Sequence, residues 1–336
     1  MYKNHIRLTI AVFIFSALTA CHTNTDKEKP DTGSVKILPV KIHRYERALF
    51  AIPQNELSIG LESIVPEFGF FIGKNFQNQT SLLQMKNYLN DPGIIEAYQT
   101  STKVFPDLGK TETELGTAFK FIKYYLPAWN QPEVYTYISG YYVENGTFIT
   151  ENNLVIPIDN YLGPDHKPYS KAGIPVYISQ RLAPAYLIPD AIKSIVSVSF
   201  PEDPASRPLV EQMIIAGKIL YFTQKVLPDI PDYLIIGYTP DQMQWCNENE
   251  ENMWSFMIGQ KLLYANNKNI TGKFMSEAPF TAGLPRESPG RSGFYTGWQI
   301  IRSYMKMNSK VTLEQLMKDT DYQKIFNNSG YKPGKK

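Results

Sequence analysis

The stretch VYTYISGYYVENGTFITENNLVIPID, residues 134–159, decides the fold class. It is dense in β-branched and aromatic residues, the types that suit a pleated, half-buried surface. Glu144-Asn145-Gly146 interrupts it between two strand-like runs, and Asn-Gly is a strong hairpin signal. This reading predicts two or three antiparallel strands. Outward on both sides the pattern is helical. Upstream, VKIHRYERALF (40–50) reads as a strand entering a helix or turn, and residues 55–125 hold several helical patterns. Asp91-Pro92 is a helix start, with Asp as cap and Pro in the first turn. From Thr113 to Tyr125 the spacing of Leu115, Phe119, Ile122 and Leu126 marks an amphipathic helix. Helices dominate again from about residue 168. PLVEQMIIAGKILYFTQKV (208–226) is apolar around most of its circumference, as in a buried central helix, and Ser206 is its expected cap. Residues 240–265 and 294–307 make two more helices, and Thr312-Leu313-Glu314-Gln315 opens the last one as a capping box. The tail YKPGKK is expected to fray. No repeat, low-complexity tract or linker interrupts 35–330. The expected fold is therefore α+β, a mainly helical single domain with a small antiparallel-containing sheet.

The 336 residues are 43% hydrophobic and 20% charged, ordinary for a globular chain and unlike a disordered one. Net charge is +2, and without Lys3 and Arg7 the chain is neutral. A nucleic-acid partner, which demands clustered positive charge, is not expected. In MYKNHIRLTIAVFIFSALTAC a short basic start precedes an apolar run from Leu8 to Ala20. Thirteen helical residues reach about 20 Å, too short to span a bilayer, so residues 1–20 read as a secretory signal peptide. Leu18-Thr19-Ala20-Cys21 resembles the bacterial lipoprotein box, which implies cleavage before Cys21 and lipid attachment to it. Acyl chains hold a protein on a membrane without a spanning helix. HTNTDKEKPDTGS after Cys21 is polar, and residues 21–34 read as a flexible tether. The other cysteine, Cys246 beside Trp245, reads as a small buried hydrophobe, so no intrachain disulfide is expected.

Motifs for chemistry are sparse. Gly109-Lys110-Thr111 resembles the end of a P-loop, but Val104 stands where the leading glycine belongs. Gly290-Arg291-Ser292 begins like a nucleophile elbow, yet Phe294 occupies the required glycine. Beyond the signal only His22, His43 and His166 remain, without metal-ligand spacing. The acidic run Asn247-Glu248-Asn249-Glu250-Glu251 is explained by the favourable field at a helix start. Tyr135, Tyr137, Tyr141 and Tyr142 either pack the sheet or line a groove for sugar or peptide.

Several segments in order resemble the GldB family, lipoproteins associated with gliding motility in Bacteroidetes: IHRYERALF (42–50), VPEFGFFIG (65–73), VIPIDNYLGPDHKPY (155–169), RPLVEQMIIAGKILYFTQKVLP (207–228), NEENMWSFMIGQKLLY (249–264) and PGRSGFYTGWQIIRSYM (289–305). VIPIDNYLGPDHKPY is the most specific of them. The family in turn is similar to predicted zincin-like zinc proteases. Those carry His-Glu-x-x-His on the helix that matches 208–226, which puts two ligands one turn apart with the Glu as general base. Here the positions read Val210, Glu211, Gln212, Met213 and Ile214. Glu211 remains, while Val210 and Ile214 offer a metal no lone pair, and a catalytic zinc wants three protein ligands. Glu211 shares a helix face with Lys218 and can simply pair with it or face solvent.

The resemblance implies a lipid-anchored cell-envelope protein of the gliding apparatus or the secretion machinery linked to it. Residue 22 is His rather than Asp, which in many bacteria permits transfer to the outer membrane, so a periplasm-facing place on the outer rather than the inner membrane is expected. The protein would hold a zincin-like cleft between the sheet (134–160) and the helix 208–226 and bind another envelope protein. No metal or cofactor is expected, and Val210, Glu211 and Ile214 would be vestigial site positions. One competing expectation is a divergent zinc-dependent metallopeptidase with unrecognised ligands. Another is a carbohydrate-binding lipoprotein that uses Tyr141 and Tyr142.

Overall fold

The computed structural model describes residues 29–334, and Thr32–Lys336 forms one compact unit. In chain order β1 (Ile42–Arg44) runs into α1 (Tyr45–Phe50), followed by α2 (Leu57–Ile72), α3 (Gln79–Asn90), α4 (Pro92–Val104) and α5 (Gly109–Tyr125). Then come β2 (Glu133–Tyr137), β3 (Phe148–Thr150) and β4 (Asn153–Pro157), the short helices α6 (Lys167–Lys171) and α7 (Val176–Ser179), and α8 (Pro184–Ser199). The rest is helical: α9 (Leu209–Val226), α10 (Asp232–Ile236), α11 (Pro240–Glu248), α12 (Glu250–Gly259), α13 (Lys268–Met275), α14 (Ser292–Met307), α15 (Leu313–Lys318) and α16 (Tyr322–Ser329). The fold is α+β and mainly helical.

The sheet order is β1-β2-β4-β3. β2 pairs in parallel with both β1 and β4, and only β3 with β4 is antiparallel. The sheet is thus antiparallel-containing, as expected, with β3 and β4 as the two antiparallel strands and β2 joined in parallel. Gly146 does take a left-handed conformation (φ +51°), but the runs on either side of Asn145-Gly146 do not pair with each other. The hairpin lies instead at Glu151-Asn152, between β3 and β4, with Glu151 left-handed. Leu154, Val155 and Ile156 are buried on both faces of the sheet, as expected of a parallel interior strand. Val134, Leu154 and Ile156 join the main core, while Tyr135 joins Tyr45, Leu49, Leu61 and Phe68 on the other face. Strand alternation therefore splits the apolar side chains between two layers.

The local signals hold at several helix starts. Asp91 accepts from the N–H groups of Gly93 (2.8 Å) and Ile94 (3.1 Å), with Pro92 in the first turn. Thr312 and Gln315 form the capping box. Leu115, Phe119 and Ile122 are buried along α5. Ser206 does not cap α9. Its N-cap is Pro208, and the leading N–H groups of Leu209 and Val210 donate to the carbonyls of Ala265 and Leu263, both at 2.9 Å. A distant segment meets the unpaired donors that a serine would otherwise meet. The single helix expected over 240–265 is two. The break falls at Asn249, whose backbone leaves the helical range (φ −112°, ψ 14°) while its Nδ2 donates to the Trp245 carbonyl at 2.9 Å.

α9 is the hub. Most of its residues are buried, and α8, α13, α14 and α16 pack on it. Its approach to α14 is backbone to backbone. A methyl on Gly297 would run into the Met213 carbonyl, and one on Gly217 would meet the backbone of Gly297. No rotamer change can relieve a clash with backbone. Gly297→Ala is expected to destabilise the protein by about 3 kcal/mol or more, read from urea unfolding. Gly259→Ala, where an added methyl meets no atom within 4 Å, should stay within about 1 kcal/mol of wild type.

Candidate functional site

The positions singled out on α9 do not converge. Val210 and Ile214 are buried in the main core. Glu211 is half-buried, and its Oε2 accepts from Arg207 Nη1 at 3.2 Å. Lys218 is not its partner. The ammonium donates to the Asp319 carbonyl at 3.0 Å, sits 3.8 Å from Glu202 and lies over the Tyr322 ring. Cys21 lies outside the described residues. His43 pairs through Nδ1 with Glu67, lies 3.5 Å from Glu133 and stacks on Tyr135. Cys246 is fully buried, and burial followed by the nearby Glu250 pushes its thiol well above the usual range. Of the four strand tyrosines, Tyr135 and Tyr141 are buried and Tyr142 is exposed. They do not form one aromatic platform.

The most specific stretch of sequence, 155–169, builds a polar knot. The Asp159 carboxylate is fully buried and accepts from the backbone N–H groups of Ser139 and Tyr141, both at 2.8 Å, and from Ser139 Oγ at 3.1 Å. Burial raises its pKa, and those hydrogen bonds oppose the rise. The bonds fix the turn at Gly140 and Tyr141, both left-handed (φ +74° and +66°). Tyr169 Oη donates to the Asp159 carbonyl at 2.8 Å and accepts from the Leu162 N–H at 3.0 Å. His166 Nε2 lies 2.9 Å from Tyr141 Oη, and burial lowers the pKa of its ring. Asn160 Nδ2 donates to the Tyr142 carbonyl at 3.0 Å, while its buried Oδ1 has no partner.

Beyond the knot lies a cavity of about 250 Å³, lined by Thr147, Asn160, Tyr161, Arg181, Asp190 and Lys193 among others. It lies between the sheet-side loops and α8. The cleft expected between the sheet and α9 is displaced, because α8 packs on β3 and β4 and separates them from α9 on this side. A second cavity, of about 160 Å³, shares Lys193 and reaches Ala216 and Ile219 on α9, Arg291 just before α14 and Phe294 on α14. The polar groups around the two cavities are chained together. Thr147 Oγ1 lies 3.0 Å from Tyr161 Oη, which donates to Asp190 Oδ2 at 3.1 Å. Asp190 Oδ1 lies 2.9 Å from Lys193 Nζ. Glu277 Oε1 receives both Arg181 Nη2 (2.7 Å) and Arg291 Nε (2.9 Å).

Arg291 is held in place with care. It is 9% exposed, and its backbone is left-handed (φ +57°) immediately before α14. Tyr238 Oη lies 3.0 Å from the carbonyls of both Gly290 and Arg291 and fixes this turn. The guanidinium donates from Nη2 to the Gly237 carbonyl at 3.2 Å. Burial lowers the pKa of Arg291, and Arg181 lowers it further against the pull of Glu277. Burial also lowers that of Lys193, where Asp190 opposes and the two arginines add to the effect.

Sequence reading missed this set. Arg181, Asp190, Lys193, Glu277 and Arg291 share no motif spacing. The available signal was Asp190 and Lys193, two charges three residues apart in the otherwise apolar run AYLIPDAIKSIVSV (185–198). Arg291 was visible only as part of a failed nucleophile elbow.

A family described as gliding motility protein GldB matches residues 25–333. No curated protein and no solved structure matches the chain.

Asp159→Ala would strand two buried N–H donors, and an expected loss of about 2–5 kcal/mol would register in urea unfolding. The lowered pKa of His166 means the unfolded chain takes up that proton first. Its contribution to stability is present above the ordinary value of 6.5 and is lost as pH falls below it. Between about pH 7 and pH 5 the Tm of wild type should fall more steeply than that of His166→Gln.

Proposed function

The chain belongs to the GldB family of gliding motility proteins, and from that premise we propose that it is a lipid-anchored cell-envelope protein of the gliding apparatus, or of protein secretion linked to it, which works by binding another envelope component and catalyses no reaction. The single observation that carries this reading is the family match over residues 25–333, nearly the whole of the described chain. Attachment falls to Cys21 at the end of the signal-like segment, with residues 21–34 as tether and 35–330 as the folded domain. No helix among the described residues is long and apolar enough to cross a membrane. Lipid on Cys21 supplies the membrane hold that such a helix would supply. The proposed placement is on the outer membrane, facing the periplasm.

The non-catalytic part of the proposal draws on α9. Val210 and Ile214, at the positions where related proteases hold histidines, are apolar and buried in the core. Glu211 is engaged with Arg207. A general base there would need an activated water and a free carboxylate aimed at it, and this carboxylate faces a guanidinium instead.

Deleting the gene in a gliding host should abolish colony spreading, and Cys21→Ser should leave the protein in the soluble fraction without restoring it. Crosslinking in intact cells should recover an envelope protein. Glu211→Gln should spread like wild type. Normal spreading of the deletion strain would remove the motility role. Peptide cleavage by the purified chain that a chelator stops and zinc restores would remove the non-catalytic one.

A further inference from the structure

Three cationic side chains from three separate segments converge beside Gly237. A point one bond from the Gly237 Cα, where another residue would carry its Cβ, lies 3.5 Å from Arg291 Nη2, 3.6 Å from Arg181 Nη1 and 3.7 Å from Lys193 Nζ. Arg181 follows α7, Lys193 is on α8 and Arg291 precedes α14. A Cβ at that point would make only ordinary contacts, and what calls for glycine at 237 is its left-handed backbone (φ +78°), a conformation in which L side chains are rare.

Two carboxylates answer the three cations. Asp190 takes Lys193, and one oxygen of Glu277 is shared between both arginines. The cluster therefore holds three positive groups against two negative ones. An uncompensated charge removed from water is costly, and a protein normally pairs it. Here Arg181 and Lys193 border one cavity, of about 250 Å³, and Lys193 and Arg291 border a second, of about 160 Å³. Guanidinium pairs are suited to planar or tetrahedral oxyanions, which they hold with charge-assisted hydrogen bonds.

We propose that Arg181, Lys193 and Arg291 form an oxyanion-binding site, which takes a carboxylate or phosphate group on a small ligand lodged in the two cavities. The smaller cavity has an apolar wall of Ala216, Ile219, Leu220, Ile236 and Phe294. That wall favours a ligand whose anionic group carries a short apolar substituent. Thr147, Asn160 and Ser194 line the larger cavity and give it a polar character. The site is independent of the motility reading, since it needs only the folded chain.

The test is isothermal titration of the purified chain in a low-salt buffer without other oxyanions, with inorganic phosphate in one arm and succinate in the other. Saturable binding of either at about one per chain is the expected result. Which arm saturates tells a phosphoryl from a carboxyl ligand. Lys193→Met and Arg181→Gln, with circular dichroism to show that they fold, should each weaken it about tenfold or more, the scale of one charge-assisted contact. Thermal melts of wild type should rise with the same anion by mass action. Absence of saturation by both anions in folded wild type overturns the proposal. So does binding that neither variant weakens. If neither variant folds, the wild-type titration and melt decide alone.

Discussion

Two helix backbones touch where Gly217 of α9 faces Gly297 of α14, and the rest of the helical layer is arranged around that contact. Side chains normally hold helix axes 8–10 Å apart. At this crossing no side chain intervenes from α14, and the obstacle to any substituent is the Met213 carbonyl itself. α14 therefore lies down on α9 in one register. Trp298, Ile300, Ile301 and Tyr304 are buried as a consequence, and so is Arg291 at the head of the helix. The same closeness excludes water from the face of α9 that meets α14. Buried polar residues of α9 find partners within the protein, as Lys218 does with the Asp319 carbonyl and Gln212 with that of Arg207.

Buried charge is treated in two different ways. Glu46 is 1% exposed, is paired with Arg44 and accepts from Thr136. Asp159 is fully buried and is saturated by donors from the 139–141 turn. Glu46 ties side chains of β1 and β2 to α1, and Asp159 ties the backbone of the 139–141 turn to the segment after β4. The cluster around Lys193 differs. Its groups come from the end of α7, from α8, from the segment after α13 and from the head of α14, and they border open volume. A carboxylate shared by two guanidiniums leaves donors to spare, because each guanidinium carries five. The first kind of site holds the fold together, while the second leaves unused donors facing a cavity.

What could be read from the sequence was what depends on neighbours in the chain. The Asp91 cap, the Thr312 capping box and the apolar face of α5 are satisfied within four residues or one helix face, and all three are present. The buried character of α9 followed from its composition alone. What could not be read depends on distant partners. Asn145-Gly146 carries a local hairpin signal, but Asp159 pins residues 139–141 from 18 to 20 positions away, and β2 pairs with β4 in parallel. Ser206 is a reasonable cap by type, yet Leu263 and Ala265 bring carbonyls to the same donors. The cationic cluster is the extreme case. Its members span residues 181–291, and no spacing rule connects them.

The resemblance to a protease scaffold pointed to the first turns of α9, and the structure gives that end of the helix a different character. Val210 to Ile214 lie where Arg207, Ala265 and Tyr322 enclose the helix start. The smaller cavity opens beside Ala216 and Ile219, about 8 Å farther along at 1.5 Å per residue. Two of the segments that mark the family, 155–169 and 289–305, supply Asn160, Tyr161, Arg291 and Phe294 to the cavity walls. A third, 207–228, contributes Ala216 and Ile219 rather than its Glu211. Three of the six segments that resemble the family therefore come together at the cavities beside Lys193. Glu211 pairs with Arg207 and is not among the residues that line either cavity. The scaffold has a physical reason to keep small and apolar residues at 216 and 217, because a larger side chain there would close the smaller cavity or push α14 away.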